Sequence, residues 1–130
     1  MADPPRKRTV LLADSDARRR RMTAIVLRLG GYRVIEVSQL KEIPEAGGAG
    51  VDILFSNADL SDGDALAYAI NVRRDPRTAT IPILIASSAD ERRAAAESSL
   101  GTGAFVRLPM RPSELLQRVD QLIGTARPAR

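Results

Sequence analysis

Apolar residues fall in short blocks along the chain, and the blocks alternate between two spacings. Thr9 to Ala13 (TVLLA) is a continuous apolar run that stops at acidic residues, which suits a strand buried on both faces. Asp16 to Leu29 follows with Met22, Ile25, Val26 and Leu29 at helical spacing; Asp16 is placed to cap the start and Gly30–Gly31 to end it. Tyr32 to Val37 predicts a second strand. Leu40 and Ile43 predict a brief helix, truncated by Pro44 and by Gly47, Gly48 and Gly50. Val51 to Ser56 (VDILFS) predicts a third strand. Asp64 to Arg73 predicts a helix with Leu66, Ala69 and Ile70 facing inward, closed by Asp75–Pro76. Ile81 to Ala86 (IPILIA) predicts the fourth strand. Ser88-x-x-Glu91 reads as a capping box opening a helix that runs to about Leu100 and ends at Gly101. That helix is rich in Ala and Ser, so its anchoring is expected to be loose. Ala104 to Leu108 predicts the fifth strand, and Ser113 to Ile123 the last helix, with Leu116, Val119 and Ile123 on one face.

Strands alternating with helices predict an α/β fold with a parallel sheet covered on both faces. Five such units fit a doubly wound, flavodoxin-like (βα)5 arrangement with strand order 2-1-3-4-5. Right-handed crossovers put every strand C-terminus on one edge, and that edge holds the ligand site in open α/β sheets. The residues expected there are Asp14, Ser15, Asp16, Asn57, Ser87 and Leu108.

Composition narrows the chemistry. The 130 residues suit one domain. There is no Cys and no His, which removes disulfides, thiolate or imidazole metal sites and the serine triad. Oxygen ligation of Mg²⁺ or Ca²⁺ by carboxylates stays open. The net charge of +4 comes from the ends: between residues 9 and 126 fifteen bases meet fifteen acids. A neutral body argues against nucleic acid, which calls for a basic face. The apolar runs are far shorter than the ~20 residues that span a membrane, and a cytoplasmic location is the default.

Three stretches carry a family resemblance: TVLLADSD at the first strand, RRDPRTATIPILIASS around the fourth, and GTGAFVRLPM before the last helix. Together they resemble the response-regulator receiver domains, in one register from about Thr9 to Ile123. The organisation expected is a disordered tail over residues 1–7, a receiver-like domain over 8–124 and a basic C-terminal tail over 125–130. The resemblance implies a first strand ending in two Mg²⁺-binding acids, a third ending in the Asp that accepts phosphate, a fourth ending in Ser or Thr, and a fifth ending in Lys before Pro. Here those positions hold Asp14 and Ser15, Asn57, Ser87, and Leu108–Pro109. It further implies a switch aromatic at Phe105 and a cis bond before Pro109.

An amide is no phosphoryl acceptor, a serine is a weak ligand for Mg²⁺, and a leucine neutralises no phosphoryl charge. The expectation is a degenerate pocket with no catalytic residues, in a protein that is not an enzyme. Mg²⁺ is expected to bind weakly or not at all, with Asp14 the weak candidate ligand. Arg19, Arg107 and Arg111 are the candidates for a cation beside Asp14; Arg18 to Arg21 otherwise read as a solvated surface. The function expected is a pseudo-receiver: a single-domain, phosphorylation-independent interaction module in two-component-type signalling. It would meet signalling partners, or a second copy of itself, through its fourth helix, fifth strand and fifth helix. Two alternatives stand beside it. One is a phosphorelay regulator that uses a displaced carboxylate, Asp59 or Asp62, with Mg²⁺; the other is an adaptor docking nucleic acid or acidic surfaces through arginine-rich tails.

Overall fold

The computed structural model describes residues 7–46, 50–76 and 81–126. Most of both tails, with the arginines at 6, 127 and 130, and Gly47 and Gly48 lie outside these residues. The elements run β1 (Thr9–Ala13), α1 (Ala17–Leu29), β2 (Arg33–Val37), a 3-10 turn (Leu40–Glu42) leading into α2 (Ile43–Ala46), β3 (Ile53–Asn57), a two-residue hairpin β4 (Asp59–Leu60) and β5 (Gly63–Asp64), α3 (Ala65–Arg74), β6 (Ile83–Ser87), α4 (Arg92–Leu100), β7 (Phe105–Arg107) and α5 (Pro112–Ala126). Strands β2-β1-β3-β6-β7 form one parallel five-stranded sheet. This is the order expected from the sequence, and the fold is flavodoxin-like.

The side-chain alternation of each strand divides the core in two. Leu11, Ala13, Leu54, Ile83, Ile85 and Phe105 pack with α2, α3 and α4 on one face. Val10, Leu12, Ile53, Phe55, Leu84 and Val106 pack with α1 and α5 on the other. All five residues of β1 and of β6 are buried, as the continuous apolar runs require.

Helix α1 turns only part of the expected face inward: Val26 packs against the core, but the rest of the stripe does not. Ala24 and Leu27 are fully buried, whereas Met22, Ile25 and Leu29 face solvent, Leu29 at 83% exposure. The reason lies in its polar neighbours. Arg20 shares the buried side of the helix and uses it: Nη1 donates to the Asp14 carbonyl at 2.8 Å and Nε pairs with Glu36 at 3.3 Å. A satisfied arginine and two compact contacts outweigh the larger apolar stripe.

Three smaller differences accompany it. Helix α5 buries Leu115 with Val119 and Ile123, while Leu116 is only partly covered, and it runs on through residues 125 and 126 to Ala126. Helix α4 begins at Arg92 after Glu91, which makes no side-chain cap bond. The expected box at Ser88 is replaced by Ser87, whose Oγ accepts from the Ala89 amide at 3.0 Å. Arg8, set among the charged ends by the charge count, belongs to the sheet's margin: its carbonyl accepts from the Arg33 amide at 2.9 Å and its guanidinium pairs with Asp52 at 3.5 Å.

Candidate functional site: the cleft at the C-terminal edge of the sheet

Strand β1 delivers Asp14 to the sheet's edge, where it is 5% exposed. Its Oδ1 accepts from the Asp16 amide at 2.9 Å, bending the chain into α1. Asp16 caps that helix, its Oδ1 accepting from the Arg19 amide at 2.9 Å. This bond, the largest influence on the group, holds the Asp16 carboxyl below its ordinary value. The cap fixes Arg19 one turn into the helix, and its side chain returns to Asp14. Nε donates to Oδ2 at 2.6 Å and Nη2 donates to Oδ1 at 2.8 Å. The bond to Asp14 raises the Arg19 guanidinium above its ordinary value. Of the three cations expected as candidates, Arg19 is the one beside Asp14. Arg107 pairs instead with Asp90 at 3.4 Å, and Arg111 sits at the start of α5, its amide 3.4 Å from Glu114.

The other edge positions are committed to loops. Ser15 donates through Oγ to the Ser38 carbonyl and accepts from the Ser61 amide at 2.8 Å, tying the loops after β1, β2 and β4 together. Asn57 ends β3, and its Oδ1 accepts from the Asp59 amide at 3.0 Å. Ser87 ends β6 and accepts from Ala89. Leu108 follows β7; its amide donates to the Ser87 carbonyl at 2.9 Å, and the Leu108–Pro109 bond is cis. Arg19, Asn57, Asp59, Ser87, Ser88, Leu108 and Pro109 line an open cleft of about 480 Å³. A smaller hollow beneath it is lined by Asp14, Arg19, Asn57 and Leu108 among others.

Asp59, one of the two displaced carboxylates considered, does reach this cleft although it lies two residues past the end of β3. The turn closed by Asn57 Oδ1 folds it back. Its carboxylate pairs with Arg92 Nη2 at 2.8 Å, and Arg92 Nη1 also lies 3.4 Å from Asp64. Sequence reasoning missed Arg92; it lies at the first position of a helix whose approach to β4 is set only by the fold. Asp62 stays outside the cleft. Its two oxygens accept from the Leu40 and Lys41 amides at 2.7 and 3.1 Å, which holds its carboxyl below its ordinary value. Phe105 is fully buried, more deeply than its place on an edge strand suggested, with the Arg93 guanidinium 4.7 Å from its ring centroid.

Mg²⁺ takes a near-octahedral shell of hard oxygens that includes carboxylates. Both Asp14 oxygens are covered by a guanidinium, the Ser15 hydroxyl and the Asn57 carbonyl oxygen are held in turns, and Asp59 is held by Arg92. Among the described residues no three carboxylates converge. This donor set does not fit a hard dication.

Comparison with known proteins agrees with the fold. No family model matches the chain. It is 30% identical over 119 residues to the response regulator PleD of Caulobacter vibrioides, covering 91% of this chain and 26% of PleD. The chain thus spans about a quarter of the length of the curated relatives it matches. Among solved structures, a putative response regulator from Chloroflexus aurantiacus superposes with a TM-score of 0.83 at 25% identity, over 92% of this chain and 99% of that one. The chemotaxis response regulator CheY4 of Vibrio cholerae gives 0.79 at 21%, over 90% and 99%. The receiver domain of the sensor histidine kinase PA1611 of Pseudomonas aeruginosa gives 0.79 at 18%, over 92% and 99%; its structure holds a magnesium ion in the active-site cleft. The chain therefore has the CheY-like, flavodoxin-like fold of these receiver domains.

Proposed function

We propose that this domain is a pseudo-receiver: a phosphorylation-independent protein–protein interaction module in two-component-type signalling. Asn57 carries this reading. It stands at the end of β3, its carbonyl oxygen spent on the Asp59 amide, and an amide forms no acyl phosphate. The neutral Leu108 and the covered Asp14 agree with it. A cytoplasmic location belongs to the same reading; among the described residues no helix is long and apolar enough to cross a membrane.

The face of α4, β7 and α5 implied by the resemblance belongs to this proposal, and α1 with β2 offers a second candidate surface. The exposed large apolar side chains among the described residues are Met22, Ile25 and Leu29 on α1 and Ile35 on β2. At ~100° per residue, the three on α1 share one arc with Arg18 and Arg21, while Arg28 on that arc is already paired with Glu36 at 3.4 Å. An apolar stripe with a positive rim suits a partner whose apolar contact is bordered by acids.

The alternative with a displaced carboxylate has one foothold, the presence of Asp59 in the cleft. Its pairing with Arg92 weighs against it, as does the fact that among the described residues no three carboxylates gather to hold a metal ion. Thermal unfolding tests the two. A ligand that binds only the native state raises Tm. The pseudo-receiver keeps the same Tm with millimolar Mg²⁺ and acetyl phosphate as without them; a saturable rise lost in Asp14→Ala supports the displaced carboxylate instead.

A further inference from the structure

We propose that Arg19 is the resident cation of the cleft, and that its guanidinium keeps divalent metal out even where the missing acids are put back. The inference rests on the pseudo-receiver reading and assigns a cause within it. The space enclosed by Asp14, Asn57 and Leu108 is bounded by Arg19 itself.

Three features make the guanidinium a fixture. It grips Asp14 at both oxygens, at 2.6 and 2.8 Å, in the bidentate form that only arginine provides. Asp14 is buried and also held by the Asp16 amide, so it cannot turn away to another cation. The base of Arg19 is fixed by the Asp16 cap, and Arg20 braces the same turn by donating to the Asp14 carbonyl while pairing with Glu36. An arginine keeps its proton at every pH a protein tolerates, so no change of pH vacates the position.

Electrostatics then sets the order of events. The body needs one positive charge to balance the buried Asp14, and Arg19 supplies it from within the chain. Carboxylates installed at positions 15 and 57 would add two negative charges beside a cation already in place. Mg²⁺ would have to enter against the like charge of the guanidinium and displace it from Asp14. Removal of the guanidinium frees Asp14 Oδ2, leaves Oδ1 with the Asp16 amide alone, and lifts that repulsion.

Mg²⁺ titration by isothermal calorimetry tests this on four full-length proteins: the wild type, Ser15→Asp/Asn57→Asp, and that double variant with either Arg19→Gln or Arg19→Lys. Circular dichroism and thermal melts establish that each is folded. The expected result is that the Gln variant binds Mg²⁺ at least about tenfold more tightly than the double variant. The Lys variant, which keeps the charge, should stay close to the double variant. Equal affinity of the double and Gln variants, or no binding by the Gln variant, overturns the role given to Arg19. Saturable Mg²⁺ binding by the wild type would instead overturn the pseudo-receiver reading, so the two failures are distinct.

Discussion

Arg19 closes on Asp14 through two parallel bonds, Nε to Oδ2 at 2.6 Å and Nη2 to Oδ1 at 2.8 Å. The pair joins the end of β1 to the first turn of α1 and lines the smaller hollow. Arg19→Ala should cost about 1–2 kcal/mol, because it leaves a buried carboxylate with only a backbone donor; the arginine's own 43% exposure keeps the figure below that of a buried pair. Asp14→Asn in the Arg19→Ala background should recover part of that loss. Urea unfolding of the full double-mutant cycle measures this. Additive effects would show that the two side chains do not interact.

The rotated face of α1 gives a sharper contrast. Leu27→Ala empties a fully buried site and should cost about 2–4 kcal/mol. Leu29→Ala and Met22→Ala remove exposed groups and should stay within about 0.5 kcal/mol of the wild type. Chemical denaturation of the three variants distinguishes the buried from the solvent-facing side. A large loss for Leu29→Ala with little for Leu27→Ala would restore the face that the apolar spacing suggested.

That contrast shows where the sequence was readable. Runs such as TVLLA and IPILIA are buried on both faces, so continuity alone marked them, and the strand ends then located Asp14, Asn57, Ser87 and Leu108 at one edge. The face of α1 was not readable from apolar spacing, because Arg20 takes part of the buried side by satisfying the Asp14 carbonyl and Glu36. Arg19 was a nameable candidate through its place one turn from the cap, but nothing in the chain order distinguished it from Arg107 or Arg111. Arg92 and the return of Asp59 to the cleft depend on how β4 and α4 approach each other, which no local pattern encodes.

The acid limb of stability follows from caps. Glu42 accepts from the Ser38 hydroxyl and amide and from the Gln39 amide; the Ser38 hydroxyl, first among these, lowers its carboxyl below the ordinary 4.5. Asp16 and Asp62 lie below their ordinary 3.8 through bonds led by the Arg19 and Leu40 amides. A group with a depressed value in the folded state stabilises it above the unfolded value and loses that contribution as pH falls through the folded one. Tm should therefore decline as pH drops below about 4.5 and continue to fall beneath 3.8. With no His in the chain, Tm should be nearly flat between about pH 5.5 and 7.5. A pronounced loss across that neutral window, followed by calorimetry, would point to a titrating group outside this account.

Phosphoryl acceptance is the point on which the whole reading turns. The full chain, incubated with acetyl phosphate and Mg²⁺ and examined by intact-mass spectrometry before and after acid treatment, should retain its unmodified mass throughout. An acid-labile phosphoryl adduct that maps to the cleft, at Asp14 or Asp59, would contradict the account.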